Sequence, residues 1–133
     1  MSKAQRTALV IRLRGLLEKG TEIVFAYLHG SFAEGLPFHD IDVAVFLGEQ
    51  QSKTMEYVDY ENELSVTLTR ALEAPVDVRA LNTAPLGFQF NATRGQVLIS
   101  RDEDFRLDFV ERTWIEYMDF RPISELILRE ALR

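Results

Sequence analysis

The sequence predicts a mixed α/β domain, a sheet of three to four strands flanked by helices, and three observations predict it. Helix-like and strand-like hydrophobic periods alternate along the chain in the order αβ(α)βαβαβα. The first two strand-like segments are too close for a helical crossover, which makes them antiparallel neighbours; the second and third are joined by a helix-sized stretch, which makes them parallel. Of the 133 residues, 47% are apolar, enough for one folded domain with its own core.

Each element has a local cause. Residues 3–19 carry Leu9, Leu13, Leu16 and Leu17 on one helical stripe, with Arg12, Arg14 and Glu18 largely off it, and Gly20 is a natural stop. Residues 22–28 are β-branched and aromatic, as in a buried strand. A turn follows from His29 to Gly35, with room for one helical turn. Residues 41–47 form the second strand. Residues 52–73 are helical, with Met55, Val58, Leu64, Leu68 and Leu72 available for a buried face, and Pro75 marks the exit. Residues 76–81 form the third strand, 84–93 a short helix ended near Gly95, and 96–100 a marginal fourth strand. From Glu103 the pattern is helical, and Pro122 is expected to kink or break it. Residues 1–133 read as a single domain with a C-terminal helical tail from about 103.

Composition narrows the chemistry. No cysteine is present, which excludes disulfides, thiolate metal sites and thiol nucleophiles and suits a reducing cytoplasm. Arginines interrupt the apolar N-terminal stretch, a poor signal-peptide core, and no apolar run approaches the roughly 20 residues that span a bilayer. A soluble, cytoplasmic protein without membrane contact is expected. Net charge is −6, from 21 acidic and 15 basic residues. That balance argues against direct nucleic-acid binding, which needs cations to displace counterions. It fits a metal-dependent enzyme or a partner with a basic face.

Asp40 and Asp42 stand at i and i+2 at the mouth of the second strand, so strand alternation sends both carboxylates to one face. Carboxylates held so close repel unless a cation lies between them, and hard oxygen ligands suit Mg²⁺ or Mn²⁺. A bare Asp-x-Asp is as readily a turn cap beside a solvent-facing acid. Asp77, second in the third strand between Val76 and Val78, changes the balance: beside the second strand it can join the pair. Three such carboxylates can bind two metal ions, which clamp the attacking and leaving oxygens of a phosphoryl displacement. Gly30-Ser31 follows the first strand directly. Glycine admits a ligand close to the backbone, and the serine can cap the following helical turn; a plain turn is the alternative.

Gly30-Ser31-Phe32-Ala33-Glu34-Gly35, then Asp40-Ile41-Asp42-Val43-Ala44-Val45, then Val76-Asp77-Val78, resembles the signature of the polymerase-β-like nucleotidyltransferase superfamily. It most resembles the minimal nucleotidyltransferase (MNT) proteins. The likeness extends through Leu81-Asn82, Gly95 to Ile99 and the tail with Phe109, Tyr117 and Asp119. Residues 32–39 form a short spacer for this superfamily. Glu34 stands where MNT proteins often carry a basic residue, and a carboxylate near a triphosphate is unfavourable unless it points away or meets a metal.

The resemblance implies a polymerase-β-like fold in one minimal domain, with ATP as donor and two Mg²⁺ ions, Mn²⁺ being an alternative. It implies that Gly30 and Ser31 hold the β- and γ-phosphates, that Asp40 and Asp42 ligate both metals, and that Asp77 completes the catalytic metal site and helps deprotonate the acceptor. It also implies an antitoxin that transfers AMP to a tyrosine of a HEPN ribonuclease toxin. Two alternatives stay open: transfer to a small molecule such as an antibiotic, for which a homodimer could build the pocket, and a catalytically silent subunit that masks its partner. His29 and His39 border the motif and read as loop or strand-end side chains rather than phosphate contacts. Arg79 shares the parity of Asp77 and reads as an ordinary ion-pair member. Phe88, Phe90, Trp114, Tyr117, Met118 and Phe120 are expected to pack as core, and the last helix, apolar on more than one stripe, to be buried against a neighbour.

Overall fold

A computed structural model describes residues 1–48 and 56–132, and of residues 120–125 the backbone alone. The helices are α1 (Lys3–Glu18), α2 (Gly30–Ala33), α3 (Tyr57–Leu72), α4 (Leu86–Ala92) and α5 (Glu103–Ala131); the strands are β1 (Ile23–His29), β2 (Ile41–Leu47), β3 (Val76–Ala80) and β4 (Gln96–Ser100). The sheet order is β3-β2-β1-β4. β1 pairs antiparallel with β2 and β4, and β2 pairs parallel with β3, so both expected connections hold and the fourth strand closes one edge.

Two apolar layers sandwich the sheet. Leu9, Leu13 and Leu17 of α1 and Tyr60, Leu68 and Leu72 of α3 pack against Ile41, Val43, Val45, Val76 and Val78. On the opposite face Phe25, Tyr27 and Ala44 meet Ala92, with Phe46, Phe88 and Phe109 packed around them. α1 starts at a capping box, Ser2 Oγ accepting from the Gln5 amide while the Gln5 side chain accepts from the Ser2 amide.

Three expectations need correction. Val58 is 61% exposed; Tyr60, Leu64, Leu68 and Leu72 recur every fourth residue and fix the buried stripe, which turns Val58 to solvent. Met55, with the rest of 52–55, lies outside the described residues. Pro122 does not break the last helix, which is continuous to Ala131. The carbonyl that its missing N–H would serve belongs to Met118, which is 54% exposed, so water can replace the lost partner. Among the described side chains the domain covers one stripe of α5: Phe109 packs on Phe25 and Phe46, Trp114 Nε1 donates to Thr93 Oγ1 at 3.0 Å, and Tyr117 stacks on Phe90 at 4.0 Å. Leu107, Ile115 and Met118 are exposed because their stripe faces away from the sheet. The side chain of Phe120 lies outside the described residues.

Among the described residues no helix is long and apolar enough to cross a membrane.

Candidate active site

The mouth of β2 is fixed by one backbone bond, from the Ile41 N–H to the Pro75 carbonyl at 2.8 Å. It sets the parallel register in which Asp42 lies opposite Asp77. Parity does the rest. Ile41 and Val43 enter the layer under α1 and α3, as do Val76 and Val78, so Asp42 and Asp77 leave the sheet together on the other face. Asp40 precedes the strand with the parity of Asp42. Burial pushes the Asp42 carboxyl above its ordinary range, and the charges of Asp77 and Asp40 push it further in the same direction. The third acid is thus on the same side of the sheet as the pair and close enough to be felt electrostatically.

That arrangement is a site of concentrated negative charge built from hard oxygen donors, and its chemistry fits a divalent cation, which would relieve the repulsion at Asp42. The fit lies in charge and donor type; among the described residues no three histidine, aspartate or glutamate side chains stand in a ready ligand arrangement.

The loop after β1 is held against these acids. Gly30 has φ +78, and a Cβ there would overlap Oδ2 of Asp42, so the position demands glycine twice over. Ser31 is exposed and, contrary to expectation, caps nothing: it lies inside α2, whose N-cap is His29 with no side-chain bond. The chain enters the helical turn one residue earlier than the motif suggests, because the left-handed Gly30 makes the bend itself. Ser31 directly follows Gly30, the residue that closes on Asp42.

His29 is a strand-end residue, as expected, but not a bland one. It pairs with Asp42 across the ladder, meets the Phe88 ring edge-on at 5.3 Å, and buries Nε2 with no hydrogen-bond partner. Burial, helped by the Arg79 charge, lowers its pKa to about 4, so the imidazole is neutral at pH 7. Arg79 forms the expected ordinary ion pair, with Glu61 at 3.8 Å, and its guanidinium lies over Phe88 at 4.8 Å. His39 is exposed.

Sequence reading missed the far wall of the site. A cavity of about 440 Å³ opens between Gly30 and Glu34 on one side and Asn91, Arg94, Gly95 and Gln96 on the other. Gly95 and Gln96 were visible only as a helix stop and as part of the resemblance, and no local pattern marks Asn91 or Arg94; β4 brings them to the loop by pairing Gln96 with Leu28. Asn82 was visible only as part of the resemblance. Its side chain continues the sheet like a peptide group, accepting from the Leu47 N–H at 2.9 Å and donating to the Leu47 carbonyl at 2.8 Å.

A sheet that aims acids from two adjacent parallel strands beside a glycine loop defines a nucleotidyltransferase domain. Residues 12–104 match the family model of polymerase beta, nucleotidyltransferase, and the chain belongs to that family. Among solved structures, the chain is similar to the toxin–antitoxin MntA–HpeT carrying two aspartate-to-glutamate substitutions (TM-score 0.72, 23% identity, covering 93% of this chain and 98% of that one). It is similar also to the tri-AMPylated HEPN toxin of Shewanella oneidensis in complex with MNT antitoxin (TM-score 0.70, 22% identity, 96% and 99% covered). A third is a toxin–antitoxin structure with AMP-PNP (TM-score 0.72, 23% identity, 93% and 98% covered). At these identities the likeness is one of fold. No curated protein matches the chain.

Proposed function

We propose that this chain is a metal-dependent nucleotidyltransferase that moves AMP from ATP to a hydroxyl of a partner HEPN toxin, a tyrosine being the expected acceptor, and thereby acts as its antitoxin. The observation that carries the reading is the register that sets Asp42 opposite Asp77 on the face where Gly30 closes on Asp42. The similar structures support the donor and the partner: one holds AMP-PNP, another a tri-AMPylated HEPN toxin beside its MNT antitoxin.

In this reading Asp40, Asp42 and Asp77 hold two Mg²⁺ ions, with Mn²⁺ as a substitute. Bound there, the ions supply charge neutralisation on the triphosphate and a lowered pKa for the acceptor hydroxyl. The chain's own residues do the rest. Gly30 lets the backbone approach the phosphates without a side chain in the way. Ser31 offers a hydroxyl beside it. Asp77, on the outermost strand, would help remove the acceptor proton as the α-phosphate is attacked, either directly or by binding the metal that lowers the hydroxyl's pKa. Pyrophosphate leaves toward the loop. In this reading the acceptor hydroxyl is supplied by the partner.

The test is transfer of labelled α-phosphate from ATP to the HEPN partner in Mg²⁺. Wild type should label it, and Asp42→Asn should lower the rate by about a hundredfold or more. A partner neutralised equally by both proteins, with no label on it, would mean masking rather than modification.

A further inference from the structure

A triphosphate is strongly anionic, and the catalytic face of this chain is acidic. Gly30 and Ser31 contribute no charge. Any fixed side-chain cation that meets the departing phosphates, beyond the metal ions of the proposed reaction, has to come from elsewhere in the fold, and the cavity behind the loop contains one.

Arg94 follows α4 in the turn leading to β4. The turn is pressed against the end of β1: a Cβ at Gly95 would overlap the Leu28 carbonyl and stand 3.1 Å from Cβ of His29. Only glycine admits so close an approach, and it brings Arg94 and Gln96 to the cavity wall facing Gly30. The guanidinium lies over the Phe90 ring at 5.6 Å, and Tyr117 stacks on the same ring at 4.0 Å. Aromatic contact orients the group while leaving its N–H donors unspent. Among the described residues the ion pairs are Arg79 with Glu61 and Arg106 with Glu103, so no carboxylate claims Arg94.

Asn91 and Gln96 line the same cavity with neutral amides. An arginine fork and two amides are donors that suit phosphate oxygens. The cavity and the aspartates share Gly30 as their common wall, so an extended triphosphate can have its α-phosphate at the acids and its outer phosphates at Arg94.

We propose that Arg94, flanked by Gln96 and Asn91, is the binding site for the β- and γ-phosphates of the nucleotide donor and for the pyrophosphate released from it. The proposal rests on the nucleotidyltransferase reading. It also gives Glu34 a role, since that residue lines the same cavity and its charge opposes the anion, limiting how tightly product is held.

The test is calorimetric binding of Mg²⁺-ATP, Mg²⁺-pyrophosphate and AMP to the full chain. Arg94→Ala should weaken ATP and pyrophosphate by about tenfold or more and leave AMP unchanged, with thermal unfolding unaltered because the side chain is exposed. Arg94→Lys should recover part of the loss, and Glu34→Gln should tighten ATP. If wild type binds ATP and Arg94→Ala binds it equally, the assignment of Arg94 fails while the enzyme reading stands; the same follows if AMP weakens as much as ATP, or if Glu34→Gln binds ATP less well. If wild type binds neither nucleotide nor pyrophosphate, both readings fail together.

Discussion

Gly30 and Gly35 bracket the loop and share a left-handed backbone, φ +78 and +76, yet they differ in what surrounds them. Around Gly35 nothing lies within 4 Å of a would-be Cβ; at Gly30 that atom would overlap the Asp42 carboxylate. Gly35→Ala should therefore cost only the backbone term, about 1 kcal/mol. Gly30→Ala should cost more than that and should also displace Asp42, so denaturant midpoints and Mg²⁺-ATP binding separate the two variants. Equal losses in both would mean that the carboxylate yields freely and that close packing at Gly30 is not needed. At this scale, much of the site was legible. Asp40, Asp42 and Asp77 declare their common face through strand parity, which is a local property. The character of His29 was not legible, because burial of Nε2 depends on Phe88 arriving from α4. Arg94 was not legible either, because its place depends on the pairing of β4 with β1.

The least foreseen device belongs to the elements. β3 is an edge strand whose outward amides need partners, and α3 supplies them with one row of side chains. Glu61 accepts from the Ala80 N–H at 2.6 Å, Ser65 from Val78 at 2.9 Å and Thr69 from Val76 at 3.0 Å. The match is metric: four helical residues rise about 6.0 Å and two strand residues about 6.6 Å. The row adjoins the buried Tyr60–Leu64–Leu68–Leu72 stripe, so the contact that packs the helix also aligns the acceptors. Ser65→Ala should cost about 1 kcal/mol and speed hydrogen exchange at the Val78 amide. Unchanged exchange there would show that water serves the edge as well as the hydroxyl does. Apart from the short α2, the existence and type of the described elements followed from hydrophobic period and its punctuation; this row did not, since polar residues at fourfold spacing read equally as a solvated face. Val58 was misassigned for the same reason, an apolar residue being assigned to the core without knowing which stripe the sheet selects.

The molecule as a whole divides α5 into two parts. Its first half belongs to the core through Phe109, which packs on Phe25 at 5.5 Å and Phe46 at 5.3 Å, and through Trp114 and Tyr117 against α4. Farther along, Leu126, Ile127, Leu128 and Leu132 are 54%, 64%, 61% and 78% exposed. Apolar side chains so exposed contribute little to the stability of the isolated chain, because the free energy of burial scales with area removed from water. The two halves should therefore respond oppositely to substitution. Phe109→Ala removes an aromatic ring from the second apolar layer and should cost about 3 kcal/mol. Ile127→Lys should leave the chemical denaturation curve within about 0.5 kcal/mol of wild type, since the isoleucine is already 64% exposed and the lysine gains hydration there. A loss at Ile127 comparable to that at Phe109, measured on the chain alone at low concentration, would mean that the end of α5 is part of the domain's own core and that the division drawn here is wrong.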